Sequence, residues 1–181
     1  MVYTNVFDLI NAELKKTKVA YLLIGGFAVN SYGVTRQTLD VDFMITADDD
    51  AKVQAVLKAN GYQEVQRQDV FVRFKSPRSE WMDLDFMFVD RQTLEAMVKE
   101  GNRVQIAGHE FIVPSLMHLI ALKLHSLKHN SKMREYKDMV DILRLIEINR
   151  IDVNNEDFKT LCVKYGSQEL YDKIVENTGK Q

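Results

Sequence analysis

The sequence predicts an α+β protein: a mixed β-sheet flanked by helices, followed by a C-terminal helical subdomain. Three observations predict it. Up to about residue 113, short apolar or alternating runs interleave with helical ones. The strand-like runs lie close in sequence and are joined by hairpin-type turns, which favours mixed or antiparallel pairing over a doubly wound sheet. Beyond Pro114 the pattern is helical throughout. The expected division is therefore an α/β core over 1–113 and a helical part over 114–181, packed on the core because no flexible linker separates them.

The elements follow in order. Val6, Ile10 and Leu14 repeat at helical spacing and predict a helix over 3–16. Residues 19–24, VAYLLI, read as a buried strand broken by Gly25 and Gly26. A short helix over 27–32 stops at Gly33. After the polar loop TRQTL, residues 40–45 alternate like a strand. Val53, Val56 and Leu57 predict a helix over 48–60, ended by Gly61. Residues 62–75 and 81–89 read as strands separated by the turn KSPRS, and 92–100 as a short helix. A small hairpin, RVQI–AGH–EFIV, follows. Helices are expected over 115–129, 132–148, 155–164 and 167–177.

The chain has 181 residues, 46% hydrophobic and 28% charged, a composition that builds an ordinary globular core. Net charge is −2, so no global basic excess argues for nucleic-acid binding. The single cysteine, Cys162, excludes an internal disulfide and suits a reducing compartment. The N-terminus lacks the basic start and apolar block of a signal peptide. No apolar run approaches the ~20 residues that span a bilayer. A cytoplasmic protein without membrane association is expected.

Residues 22–45 are the most informative stretch. A strand ending in Gly25-Gly26 before a helix leaves backbone N–H groups able to meet a phosphate without a Cβ in the way. One strand later, Asp40 and Asp42 stand two residues apart, which puts both carboxylates on one face. Asp83 and Asp85 share a strand face in the same way. If the two strands are neighbours, three or four carboxylates converge. Mg²⁺, a hard cation with oxygen ligands, is the fitting counter-charge. Two such ions can hold a triphosphate and activate an attacking hydroxyl.

The order Gly-Gly, short helix, Asp-x-Asp and a later acidic strand resembles the DNA polymerase β-like nucleotidyltransferase superfamily. YGVTRQTLDVDFMI followed by ALKLHSLKHNSKMREYKDMVDIL is similar, more narrowly, to its bacterial abortive-infection and type IV toxin branch. The resemblance covers roughly residues 20–145 and implies a nucleotidyltransferase-type fold. It assigns Gly25 and Gly26 to the phosphate cradle, and Asp40 and Asp42 to the paired metal ligands. Asp85 becomes the third carboxylate, because DFMFVD keeps its spacing to the following helix; Asp83 is the alternative. Lys123 matches a helix lysine near the nucleotide phosphates, and Asp138 the acid of a Lys-Asp-x-x-Asp element. Arg36 precedes the site and could meet a phosphate bidentately. Many superfamily members have Gly-Ser where this chain has Gly25-Gly26, so a phosphate-contacting hydroxyl is missing.

The implied function is Mg²⁺-dependent transfer of a nucleoside monophosphate from an NTP to an acceptor hydroxyl on tRNA, a protein or a small molecule. A role as the toxin of a toxin–antitoxin or phage-defence system, with a cognate antitoxin as partner, goes with the branch. In that scheme Asp85 binds the activating metal or serves as base, Lys123 and Arg36 neutralise the triphosphate, and the C-terminal helices form one wall of the cleft. Two other readings compete: a non-catalytic nucleotide-binding or partner-regulating module, and a two-metal phosphodiester hydrolase, which does not need the glycine turn. Plainer readings also stand beside individual residues. Lys123 lies among leucines and can snorkel to solvent. Asp138 and Asp141 can form a solvated stripe. Asp48, Asp49 and Asp50 read as an acidic helix start. His118, His125 and His129 read as a polar helix face rather than a zinc site. Cys162 and the strand aromatics Phe71, Phe74, Trp81, Phe86 and Phe88 read as core.

Overall fold

A computed structural model describes residues 3–129 and 132–179. It is a mixed α+β protein with a five-stranded sheet, a separate two-stranded sheet and eight α-helices among the described residues. The chain falls into two compact units. The first comprises residues 1–28 and 37–115, the second 29–36 and 116–181.

The first unit opens with α1 (Val6–Lys16), capped by the Asn5 side chain, which accepts from the N–H groups of Phe7 and Asp8. The cap satisfies two of the four orphan donors at a helix start. Then come β1 (Leu22–Ile24), α2 (Gly25–Ser31) and β2 (Asp40–Thr46). A short 3-10 turn, Ala47–Asp49, leads into α3 (Asp50–Ala59). Strands β3 (Gln63–Gln68), β4 (Phe71–Lys75) and β5 (Asp83–Val89) precede α4 (Arg91–Lys99) and the hairpin β6 (Asn102–Ile106) and β7 (His109–Val113). Helix α2 begins at the glycines themselves, and its residues from Val29 onward belong to the second unit.

The large sheet runs β1-β2-β5-β4-β3. Only β2 and β5 are parallel; the other neighbours are antiparallel. The expected single strand over 62–75 is instead a hairpin. Asp69 and Val70 turn the chain, and β3 folds back along β4 as an edge strand exposed at every position. A strand with no buried face carries no hydrophobic alternation, so the pattern could not reveal the turn. The core of this unit is apolar and closely filled: Phe43, Phe74, Phe86 and Phe111 are all at most 1% exposed. Phe43 stacks on Phe86 with centroids 5.6 Å apart, and Phe74 meets Phe86 edge-on.

The second unit contains α5 (Leu116–His129), α6 (Lys132–Asn149), α7 (Glu156–Tyr165) and α8 (Gln168–Thr178). Asn155 and Ser167 cap α7 and α8. Leu119, Ile120, Leu124, Ile142, Leu145, Phe158, Cys162 and Ile174 are buried. The described helices include none long and apolar enough to cross a membrane. Asn130 and Ser131, part of the long motif quoted above, lie outside the described residues.

Candidate active site

Strands β2 and β5 lie side by side in parallel register, with Asp40 opposite Asp83 and Asp42 opposite Asp85. Period two sends Val41, Phe43, Leu84 and Phe86 to one face, where each is fully buried, and the aspartates to the other. Asp40, Asp42 and Asp85 each present a carboxylate oxygen within 4.8 Å of the others. Two unit charges at that separation repel by roughly 3 kcal/mol at an effective dielectric of about 20. A cluster of three therefore persists only with counter-charge or donors close by.

The protein supplies several. The Thr38 hydroxyl donates to Asp40 Oδ1 at 3.0 Å. Arg73, on β4 directly opposite Asp85, forms a two-pronged pair: Nε donates to Oδ1 at 2.7 Å and a terminal nitrogen to Oδ2 at 2.5 Å. The Asp85 hydrogen bonds, opposed by burial and reinforced by the charges of Asp85, Asp40 and Asp42, hold this guanidinium more firmly protonated than usual. Asp83 is held apart from the triad. Its Oδ1 accepts from the Ser76 N–H and its Oδ2 from Lys75, each at 2.9 Å. Burial pushes the Asp83 carboxyl up, but those donors outweigh it and its pKa is lowered.

Gly25 has φ +65°, in the left-handed region, and a Cβ there would stand 1.9 Å from Asp42 Oδ2. The side chain of Asp42 occupies that space, since Ile24 at the end of β1 pairs with Asp42 on β2. The glycine is thus tied to the carboxylate itself. Gly26 follows as the second, buried residue of α2.

The remaining expected residues lie in the second unit. Lys123, 7% exposed, ion-pairs with Asp138 Oδ1 at 2.9 Å and Asp141 Oδ2 at 2.7 Å. Asp141, 2% exposed, also pairs with Arg36 Nε at 3.2 Å. The loop carrying Arg36 is clamped by Asn30, whose side chain donates to the Arg36 carbonyl and accepts from its N–H. Two cations and two carboxylates thus form one cluster with Lys123 and Asp141 buried and Arg36 and Asp138 partly exposed, and Lys123 neither snorkels nor stands alone. Sequence reading missed Thr38, Arg73 and the bridging role of Asp141. Asp141 left a signal as the last acid of the Lys-Asp-x-x-Asp element; Arg73 alternates with Lys75 on β4, a pattern that suits a solvated strand equally well.

Comparison with known proteins bears on this arrangement. A family model described as "Uncharacterised nucleotidyltransferase" matches residues 1–178. The chain belongs to this nucleotidyltransferase family. A search of curated proteins gave no match. Among solved structures, the nucleotidyltransferase fold is similar to the antibiotic-resistance factor ANT(2'')-Ia, with TM-score 0.63 at 14% identity over 97% of this chain and 96% of that one. An antigenic nucleotidyltransferase-like protein from Paracoccidioides brasiliensis gives 0.58 at 18% identity, over 95% and 86%. The lincomycin-bound lincosamide antibiotic adenylyltransferase LnuA gives 0.50 at 18%, over 75% and 90%. The expected nucleotidyltransferase-type fold is the fold observed.

The donor set fits a hard divalent cation. Three carboxylates converge within 4.8 Å, on rigid paired strands, with no thiol or imidazole in the group.

Proposed function

We propose that this nucleotidyltransferase is Mg²⁺-dependent and transfers a nucleoside monophosphate from an NTP to an acceptor hydroxyl. The convergence of Asp40, Asp42 and Asp85 from two paired strands is the observation that carries the reading. Asp40 and Asp42 would hold both of two ions, and Asp85 one of them. Bound there, the ions would supply charge neutralisation for the triphosphate and a lowered pKa for the attacking hydroxyl. In the reaction, the acceptor oxygen forms a bond to the α-phosphorus, the bond from that phosphorus to the β-phosphate oxygen breaks, and pyrophosphate leaves. Asp85 takes up the hydroxyl proton. Gly25 keeps the space for Asp42 open, and Thr38 fixes Asp40. Gly26 retains its expected place in the phosphate cradle. Lys123 and Arg36 retain their expected role toward the phosphates, although Lys123 must share its charge with Asp138 and Asp141.

The acceptor is proposed to be a small hydroxylated molecule, with a tRNA end and a protein hydroxyl as the competing cases. Support comes from the fold shared with LnuA, whose structure holds lincomycin, and with the resistance factor ANT(2'')-Ia. The test incubates the protein and its Asp42→Ala variant with α-labelled NTPs, Mg²⁺ and a small-molecule extract, total tRNA or cell protein. Label should appear in the small-molecule fraction, with pyrophosphate released, and disappear in the variant. Label on tRNA or protein would reassign the acceptor. Growth arrest on expression, abolished by Asp40→Ala, would place the chain with the toxins and justify a search for an antitoxin. Nucleotide binding without transfer to any acceptor would favour the non-catalytic module.

A further inference from the structure

Three carboxylates and one guanidinium share the face of β2, β5 and β4, leaving a formal charge of −2 (three aspartates, one arginine). Arg73 stands in direct cross-strand register with Asp85 and engages both of its oxygens. Asp83, one pleat away, has its own cation in Lys75 and stays outside the triad. The two pairs are alike in chemistry, but of these two cations it is Arg73 that meets a carboxylate of the cluster. A carboxylate oxygen has a second lone pair, so a divalent cation can still reach Asp85. It would do so against the positive charge of a guanidinium held by two short hydrogen bonds.

We infer that Arg73 is an internal counter-cation of the triad, competing with divalent metal for Asp85 in the nucleotide-free protein. This rests on the metal-binding reading above and adds a residue that sets how readily the empty-handed protein loads metal. The Arg73 side chain is one-third exposed, so it can leave Asp85 without opening the core. An incoming triphosphate brings negative charge of its own and offers the guanidinium another bidentate partner. Arg73 would thereby link metal loading to nucleotide arrival: weak loading alone, strong loading with nucleotide.

The test is Mn²⁺ titration of nucleotide-free protein, followed by the electron paramagnetic resonance signal of the free ion. Wild type, Arg73→Gln, Arg73→Lys, Lys75→Gln and Asp42→Asn are compared, each checked for folding by circular dichroism. Arg73→Gln should bind Mn²⁺ about tenfold more tightly than wild type, from removal of one nearby positive charge. Arg73→Lys, which keeps the charge but loses the fork, should fall between them, and it carries the test if the glutamine variant does not fold. Adding Asp42→Asn to Arg73→Gln should erase the gain. In melts with chelator, Arg73→Gln should lose more thermal stability than it does with Mn²⁺. Unchanged or weaker Mn²⁺ binding in folded Arg73→Gln overturns the inference, as does an equal gain in Lys75→Gln, which would mark a general charge effect. In either case the metal reading survives if Asp42→Asn loses the wild-type binding. If no variant binds Mn²⁺ with or without nucleotide, the metal reading fails as well.

Discussion

Gly25 combines two requirements that a side chain would defeat: φ of +65°, and an open space 1.9 Å from Asp42 Oδ2 where a Cβ would go. Gly25→Ala should therefore cost roughly 3 kcal/mol, from left-handed strain together with overpacking against the carboxylate. It should also abolish nucleotidyl transfer, since Asp42 must move. Urea unfolding and the transfer assay check the two effects separately. At this scale the carboxylates were legible because an Asp-x-Asp pair in a strand has one geometric meaning: same face, adjacent pleats. The spacing of DFMFVD favours Asp85, but the shared strand face does not by itself separate it from Asp83. What separates them in space is their partners, Lys75 and Ser76 for one, Arg73 for the other. An arginine in an alternating strand reads equally well as a solvated residue, so Arg73 gave no warning until its cross-strand neighbour was known. Arg36, Lys123 and Asp141 illustrate the same point, because their cluster depends on which helix turns meet.

Elements with a strong period were read well, and those without one were not. Helices α5 to α8 and strand β2 follow their apolar spacing. Edge strand β3 has none, and its hairpin was missed. Another link invisible to periodicity ties α1 to β7. His109 Nε2 pairs with Asp8 Oδ1 at 2.6 Å, and Asn11 bonds its other ring nitrogen at 3.0 Å. The Thr4 hydroxyl bonds Asp8 as well, and it, followed by His109, pulls the Asp8 pKa down to about 2. A carboxylate with a depressed folded pKa stabilises fully above its ordinary pKa of about 4, and that contribution fades as pH falls toward 2. Asp8→Asn should thus lower the melting temperature at pH 7, and the gap to wild type should close between pH 4 and 2. Thermal melts followed by circular dichroism across that range check it. A gap that stays constant with pH would show that the charge is not what joins the helix to the strand.

For the whole molecule, the notable fact is that the helical unit is discontinuous in sequence. Residues 29–36 belong to it although the surrounding chain belongs to the sheet. Arg36 pairs with buried Asp141, and Asn149 on α6 donates to the Tyr32 carbonyl. Expression of residues 116–181 alone should give a chain without the cooperative unfolding its helices show in the intact protein. Removing one partner from a buried ion pair typically costs about 3–5 kcal/mol, and this fragment loses Arg36 altogether. Circular dichroism against urea is the measurement; a sharp transition at the full-length midpoint would contradict the expectation. The sequence read the boundary at 113/114 because composition changes there. It could not show that an eight-residue excursion upstream joins the same unit, since the end of a short helix and a loop carry too little periodicity to mark their allegiance.

A single genetic crossover near residue 115 cannot exchange the helical unit whole. The incoming helices would meet a resident Arg36 and Tyr32 inherited from the other parent, encoded between the glycine turn and Asp40. Shuffling among relatives must then either move two separated pieces of gene together or keep residues 29–36 compatible across lineages. The stretch of coding sequence beside the acidic pair is thereby bound to the fate of helices encoded some hundred codons later, as Arg36 is to Asp141.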